Sequence, residues 1–599
     1  MKLQDFYAGK SFDAYEFFGA HRDENGFTFR TYAPGAKKVT VTGEFNNWEE
    51  ETMHQEFKSG VFSVSGIPAD YGMMYKYCIY SNDGNKQEHC DPYGFFMELR
   101  PGACSIITDL KAYSFNDDKW MDNRSVNYDK PLNIYELHLG SWKKKSEEED
   151  GWYSYSEIAD LLIDYIKENG YTHIEIMPLS EHPCDQSWGY QNTGFFAPTS
   201  RYGTPNQLKE MIDKLHQAGI GVILDFVPVH FAVDAYALRK YDGTCLYEYP
   251  HEAVGNSEWG SHNFMYSRGE TRCFMQSAAN YWLEEFHFDG LRMDAVSRLI
   301  YWQGDERRGQ NGQTIEFLKT MNEGLKKIHP TAMLIAEDSS NYKGVTKPVA
   351  ENGLGFDYKW DLGWMHDTLE YFQTAPEYRP KDSHKLTFSM LYFYNERYLL
   401  ALSHDEVVHG KATILQKMNG DYEGKFSQAR AMYLYMMMHP GKKLNFMGNE
   451  VGHLREWDER REQDWEILKY PIHNSYHQYI IRLNEIYRDY EAMHDDYNLD
   501  NFRWVDCHEN NKCIYAVGRY AENQTLLAVF NFGDRYCENY SIPLKEGQKV
   551  RVILHSNWER YSGTVSEKTE FYKIGDSNGH VKLTMEMPKY SGILFEILD

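Results

Sequence analysis

A chain of 599 residues is too long for one small core, and at roughly 150 residues per domain it points to several large units. With 42% hydrophobic and 25% charged residues it excludes extensive disorder, and 45 glycines without a G-X-Y period exclude a collagen-like fibre. Lys plus Arg count 63 against 89 Asp plus Glu, a formal charge of −26 that repels phosphate backbones and excludes nucleic acid as a partner, though not a neutral ligand.

The first residues, MKLQDFYAGKSFDAYEFFG, carry early acids and no apolar run, so no secretory signal is expected. Residues 1–115 then read as short strands: GFTFRTYAP, KKVTVTGEF, GVFSVSGI and MYKYCIY alternate, with APGA and SNDGN as turns. That pattern predicts an N-terminal β-sandwich. Between 116 and 495 the pattern changes to strand and helix in turn. NIYELHL, HIEIMP, GVILDFVPV, GLRMDAV, AMLIAED, LGFDYKW, YLLALSH and KKLNFM are the strands. Among the helices, TPNQLKEMIDKLHQAG has Thr204 as N-cap, Pro205 at its first position and Gly219 at its end. Eight apolar strands alternating with helices predict an α/β fold, a (β/α)8 TIM barrel. Residues 496–599 return to strands (CIYAVGRY, TLLAVFNFG, KVRVILHS, GILFEIL), a C-terminal all-β sandwich domain. The densest charge run, KKKSEEED at 143–150, reads as a solvated loop.

Nine cysteines without a C-x-x-C pair fit neither a zinc site nor a disulfide framework. Free thiols and a cytoplasmic setting are expected. No run of eighteen apolar residues exists, so no membrane partner is expected. Aromatic residues reach 16%, with 14 Trp, 47 Tyr and 32 Phe. They pack cores, and they also stack on the apolar faces of sugar rings.

In such a barrel the active site lies where the strands end. Asp225 and His230 follow the third strand, Arg292 and Asp294 end the fourth, Glu337 the fifth, and His404 and Asp405 the seventh. Each has a structural reading: an Arg292–Asp294 ion pair, Glu337 as a helix-starting carboxylate, His404–Asp405 as a loop pair, Asp225 and His230 as satisfied polar groups. Each also has a chemical one. Asp294 suits a nucleophile that Arg292 keeps ionised and low in pKa, and Glu337 a general acid. Two carboxylates flanking one bond are what glycoside chemistry requires, about 5–5.5 Å apart in a retaining enzyme.

DFVPVH (225–230), GLRMDAV (290–296), IAED (335–338) and LSHDE (402–406) resemble the four signature regions of the α-amylase superfamily of glycoside hydrolases and transglycosidases. Within it the longer resemblance is to the 1,4-α-glucan (glycogen) branching enzymes. It is carried by residues 177–205, by LSHDEVVHGK (402–411), by IYELHLGSWK (134–143) and by GLGFDYKWDLGWMHDTL (353–369). GFTFRTYAPGAKKVTVTGEFNNWE resembles their carbohydrate-binding module, with Trp48 a candidate contact. The resemblance implies Asp294 as nucleophile, Glu337 as acid/base and Asp405 as the carboxylate gripping the distorted sugar. It also implies Arg292 orienting Asp294 with support from Asp225, His230 and His404 bonding the sugar, and Tyr190 as its platform. Trp188 either lines the rim or packs under a loop. Val229 stands where calcium-dependent amylases carry an Asn ligand, so no metal and no cofactor is expected. Asn449, Val451 and His453 depart from the family pattern and put chain-length preference in question; Asp357 also departs and receives no role.

The resemblance thus implies a glycosyltransferase acting on α-1,4-glucan chains such as glycogen or amylose in glycogen biosynthesis, with a monomer expected. Two other readings stay open: a hydrolase of the same superfamily, which shares the covalent intermediate, and a noncatalytic glucan-binding scaffold.

Overall fold

The computed structural model describes residues 1–148, 150–567 and 581–598. Eight parallel strands close into a barrel: β1 (Asn133–Leu137), β2 (His173–Ile176), β3 (Gly221–Phe226), β4 (Gly290–Met293), β5 (Met333–Ala336), β6 (Tyr358–Trp360), β7 (Tyr398–Leu402) and β8 (Lys442–Phe446). Every residue of these strands is buried. Their near-continuous apolar runs follow from this, since barrel side chains cover one face and helices the other. All eight strands read from the sequence are present and in chain order around the barrel.

The outer helices are α1 (Tyr155–Asn169), α2 (Pro205–Gln217), α3 (Gly269–Glu285), α4 (Gly312–Ile328), α5 (Leu362–Gln373), α6 (Tyr422–Met438) and α7 (Pro471–Asp489). The Thr204 hydroxyl accepts from Gln207 N, and the Gln207 side chain accepts from Thr204 N, so two orphan amides at the start of α2 are satisfied. The chain leaves α2 through Gly219 at φ 82°, a conformation that favours glycine. The β5–β6 connection has no α-helix, only a 3-10 turn at Val349–Glu351. Asp357, just before β6, accepts from Leu334 N, Lys326 and the Tyr128 hydroxyl, so its work is to clamp the start of the strand. In the charge run after β1, Lys145 pairs with Glu157 across the surface, while Glu149 lies outside the described residues.

Antiparallel strands between Gly19 and Ile106 form the N-terminal sheet, in the order Gly19–Asp23, Gly26–Tyr32, Val61–Ile67, Glu51–Gln55, Ala36–Gly43, Met74–Ser81, Lys86–His89. This unit is sealed to α3. Gln276 and Asn280 donate to the carbonyls of Gly9, Ser11 and Phe12. Tyr15, Tyr93 and Phe95 pack on Phe196, Phe274 and Tyr281, with ring centroids 5.0–6.3 Å apart. Part of the aromatic excess is thus spent between units. At the other end, a five-stranded sheet (Phe502–Asp506, Ile514–Ala521, Gln524–Asn531, Ser591–Leu598, Lys549–His555) leans on α6, and Cys537–Leu544 pairs with Val581–Met587 in a second, two-stranded sheet. The stretch 568–580 and Asp599, within the sequence-assigned C-terminal unit, lie outside the described residues. Among the described residues no helix is long and apolar enough to cross a membrane.

Candidate active site

The barrel's C-terminal mouth gathers the polar strand ends around one guanidinium. Arg292 is completely buried on β4, its guanidinium carbon 4.3 Å from the Trp360 ring. Nη1 donates to Oδ1 and Oδ2 of Asp225 at 2.8 and 2.9 Å and to Oδ1 of Asp294 at 2.8 Å. Nη2 lies 3.9 Å from Glu337 Oε2. Parallel register sets this up, because Arg292 pairs with Asp225 on one side and Ile335 on the other. One cation therefore fixes carboxylates from three neighbouring strands.

Ala295, directly after Asp294, turns at φ 47° and donates its N–H to Glu337 Oε2 at 2.7 Å. A non-glycine residue there costs about 1–2 kcal/mol, and the turn aims a fixed donor at the carboxylate. The side chains of Asp294 and Glu337 remain 16% and 17% exposed, so both reach the cleft. Burial lifts Glu337 to about 7; Arg292 opposes it, and Asp294 and Asp405 add to it. Burial likewise lifts Asp294 to about 6 against the pull of Arg292. This corrects the expectation that Arg292 keeps Asp294 low: desolvation and the nearby carboxylates outweigh one cation.

His404 lies on the opposite side of the mouth. Its Nδ1 meets Glu136 Oε1 at 2.5 Å, its backbone N–H donates to Glu136 Oε2 at 3.0 Å, and Nε2 is 3.5 Å from Asp405 Oδ1. Burial alone would neutralise the ring, but Asp405 and Glu136 prevail and raise it to about 9, so it is a cation at neutral pH. Asp405, 54% exposed at the side chain, is held below its usual range; burial opposes this, and His404 and Arg292 overcome it. Tyr190 donates to Asp225 Oδ2 at 2.5 Å, lies 3.3 Å from His404 Nε2 and stacks on the His404 ring. It thereby ties the two halves of the site together.

Trp188 sits at the rim, half-buried. Its indole N–H donates to Glu459 at 3.1 Å, and its ring packs on His409, Trp457 and His404. His230 is buried beside Trp259, 5.2 Å between centroids, with Nδ1 unpartnered among the described residues and its pKa lowered to about 4 by burial. It makes no hydrogen bond to the Arg292 cluster. Val229 is buried, and among the described residues no group of three or more His, Cys, Asp or Glu is placed to hold a metal.

Sequence reasoning missed Glu136, the partner of His404, and Glu175 beside it on β2, buried with both carboxylate oxygens unpartnered. The available signal was a lone acid inside each apolar strand, NIYELHL and HIEIMP. Asn449, Val451 and His453 are all buried, with Asn449 donating to the Leu402 carbonyl.

The chain matches three described families: the carbohydrate-binding module 48 (isoamylase N-terminal domain) over residues 17–94, the alpha amylase catalytic domain over 145–243 and 258–530, and the alpha amylase C-terminal all-beta domain over 504–597. It is 44% identical to the 1,4-alpha-glucan branching enzyme GlgB of Fusobacterium nucleatum, covering 95% of this chain and 93% of that one. It is 42% identical to GlgB of Geobacillus stearothermophilus, covering 94% and 90%. Among solved structures, a pullulanase complexed with maltotetraose from Anoxybacillus sp. superposes with a TM-score of 0.75 at 18% identity, covering 99% of this chain and 89% of that one. A putative alpha amylase from Salmonella typhimurium gives 0.71 at 17%, covering 97% and 100%, a likeness of fold. Since the catalytic-domain match spans more than half the chain and branching enzymes align with nearly all of it, the chain belongs to the 1,4-α-glucan branching enzyme family of the α-amylase superfamily.

Proposed function

We propose that this protein is a 1,4-α-glucan branching enzyme, which cleaves an α-1,4 glucosidic bond and transfers the released segment to a 6-hydroxyl. The observation that carries the chemistry is Arg292 holding Asp294 and Glu337 on adjacent strand ends. Transfer in preference to hydrolysis rests on family membership.

Asp294 Oδ1 is tied to Arg292, which leaves Oδ2 to attack the anomeric carbon. The C1–Oδ2 ester forms as the bond from C1 to the leaving 4-oxygen breaks, and Glu337 supplies that oxygen with its proton. Glu337, now ionised, takes the proton of an acceptor 6-hydroxyl. That oxygen attacks C1, the ester breaks, and two inversions give a retained α-1,6 link. His404, cationic between Glu136 and Asp405, is set to donate to sugar oxygens, and half-exposed Asp405 to accept from sugar hydroxyls. Tyr190 fills the role of platform beside them.

With amylose, iodine absorbance is expected to fall while reducing ends stay almost constant, because the transferred segment's anomeric carbon passes from Asp294 to a sugar oxygen. Hydrolysis adds one reducing end per cut. Reducing ends rising in step with colour loss would make the protein a hydrolase. Asp294→Asn is expected to abolish turnover and leave polysaccharide binding nearly intact; near-normal turnover would show that Asp294 is not the nucleophile.

A further inference from the structure

Arg100 lies in the N-terminal unit, between the strands Lys86–His89 and Ser105–Ile106, yet its guanidinium reaches the connection between β2 and α2. Nε donates to Oδ1 and Oδ2 of Asp185 at 2.9 and 3.0 Å, and Nη2 also donates to Oδ2. Nη2 donates as well to Asp150 Oδ1 at 2.9 Å. The barrel's own Arg201 grips the same Asp185 carboxylate, Nε and Nη2 donating to Oδ1 at 2.8 and 2.6 Å. Its Nη1 donates to Glu181 Oε1 at 2.8 Å, near the start of the connection. Asp185 is therefore clamped between two arginines, one from each unit. A forked guanidinium fixes direction as well as distance. The side chain of Arg201 is 2% exposed and those of Arg100 and Asp185 19% each, so this is no solvated surface pair of small consequence. Burial works against the charge of Asp185, and the two arginines overcome it and hold the carboxyl below its usual range.

Asp185 opens the turn Asp185–Ser187, which delivers two aromatic residues to the mouth. Its carbonyl accepts from Trp188 N at 2.9 Å, and the Ser187 carbonyl accepts from Tyr190 N at 2.9 Å. Trp188 stands at φ 55° and Gly189 at φ 88°. An aromatic residue in the left-handed region persists only where its surroundings hold it there. Trp188 then packs on His404, and Tyr190 bridges Asp225 and His404. One carboxylate and one turn thus join Arg100 to the cationic His404.

The N-terminal unit also meets the returning leg of this connection. Met97 packs with Cys90, Ala197 and Ala237. A Cβ on Gly194 would lie 2.5 Å from Met97 Sδ, so glycine is required by this close approach. Gly194–Pro198 pairs in turn with Ser180–Glu181. Both legs of the loop are held from the N-terminal unit, one by charge and one by packing.

We propose that Arg100 is a positioning residue of the active site: from the N-terminal unit it holds Asp185, and through Asp185 the turn that places Trp188 and Tyr190 against His404. It touches no substrate. The N-terminal unit is thereby coupled to bond cleavage at the mouth, apart from any glucan that it binds. The inference rests on the reading of the mouth as the place where the glucosyl bond is broken.

The test compares Arg100→Ala, Arg100→Lys, Asp185→Asn and the double variant Arg100→Ala/Asp185→Asn in the full chain, by fluoride release from maltosyl fluoride. This short donor engages the mouth and releases fluoride whether water or a sugar hydroxyl is the acceptor. Arg100→Ala is expected to lower kcat about tenfold, since slight misplacement of groups at the mouth is costly. The double variant is expected to be no slower than the slower single variant, because both residues act through one contact. Arg100→Lys keeps the charge without the fork and is expected to lose several-fold, so it reads the proposal even where the alanine variant does not fold. Retardation in native gels containing amylose is expected to stay unchanged. Full kcat in Arg100→Ala, or losses that multiply in the double variant, would overturn the proposal. Weakened retardation with full fluoride release would overturn it too, and make Arg100 a part of glucan binding alone. Apart from turnover, the His404 ring resonance is expected to shift in Arg100→Ala, because the Trp188 and Tyr190 rings lie 5.9 and 5.7 Å from it. An unmoved resonance would count against the clamp in the same way. A wild-type protein releasing no fluoride would overturn the reading of the site, and the resonance would still report on Arg100.

Discussion

Glu337 and Asp294 share one guanidinium, yet the geometry treats them differently. Asp294 has a contact at 2.8 Å with Arg292, while Glu337 is 3.9 Å away and keeps its proton to higher pH. The nucleophile works only when ionised, so activity is expected to fall as pH drops through about 6. The acid works only when protonated, so it is expected to fall again as pH rises through about 7. The two titrate as a pair, and kcat/KM against pH is expected to be a narrow bell. With a glucosyl fluoride the leaving group needs little protonation, so Glu337→Gln is expected to spare part of the glycosylation rate that it loses on amylose. Equal loss on both substrates would make Glu337 structural. Glu136→Gln removes one of the two charges that raise His404. A histidine raised above its free value of 6.5 is expected to move from about 9 back toward it, followed by NMR titration of the ring. An unmoved value would assign the shift to Asp405 alone.

At the scale of elements, local signals in the chain were strong. The Thr204–Pro205 start of α2 was legible because a cap is made by residues three apart. Thr204→Ala is expected to lower stability by about 1 kcal/mol, seen as a lower thermal midpoint, with kcat unchanged since α2 lies outside the barrel. A large fall in kcat would mean that this helix end positions the mouth. The strands Phe502–Asp506, Cys537–Leu544 and Val581–Met587 went unread. Cys537–Leu544 exposes Glu538 and Asn539 and carries a proline, so its apolar content was too low to stand out.

At the scale of the molecule, the N-terminal unit is a wall of the barrel as well as a module. If residues 1–110 were a binding module and nothing more, deleting them would lower activity on long glucans more than it disturbed the catalytic site. The seal of Tyr93 and Phe95 on Phe196, Phe274 and Tyr281 changes that expectation. Deletion bares this aromatic face, and the truncated chain is expected to be insoluble. A soluble truncation with normal activity would show the seal to be dispensable. Trp48, 43% exposed at φ 63°, separates binding from folding more cleanly. Trp48→Ala is expected to stay folded and to bind amylose several-fold more weakly.

What the chain determined by itself is what neighbouring residues write together: the alternation of apolar strands and capped helices, and the polar groups left at each strand end. These are written by residues close together in the chain and need no distant partner to be read. What only the tertiary structure decided lies between residues far apart. Asp225 meets Arg292 across 67 positions, and Glu136 meets His404 across 268. Those encounters set the charge of His404, reversed the expected shift of Asp294, made Asp357 a clamp and buried Asn449, Val451 and His453. Desolvation and Coulomb forces act on distance in space, which strand order alone does not state.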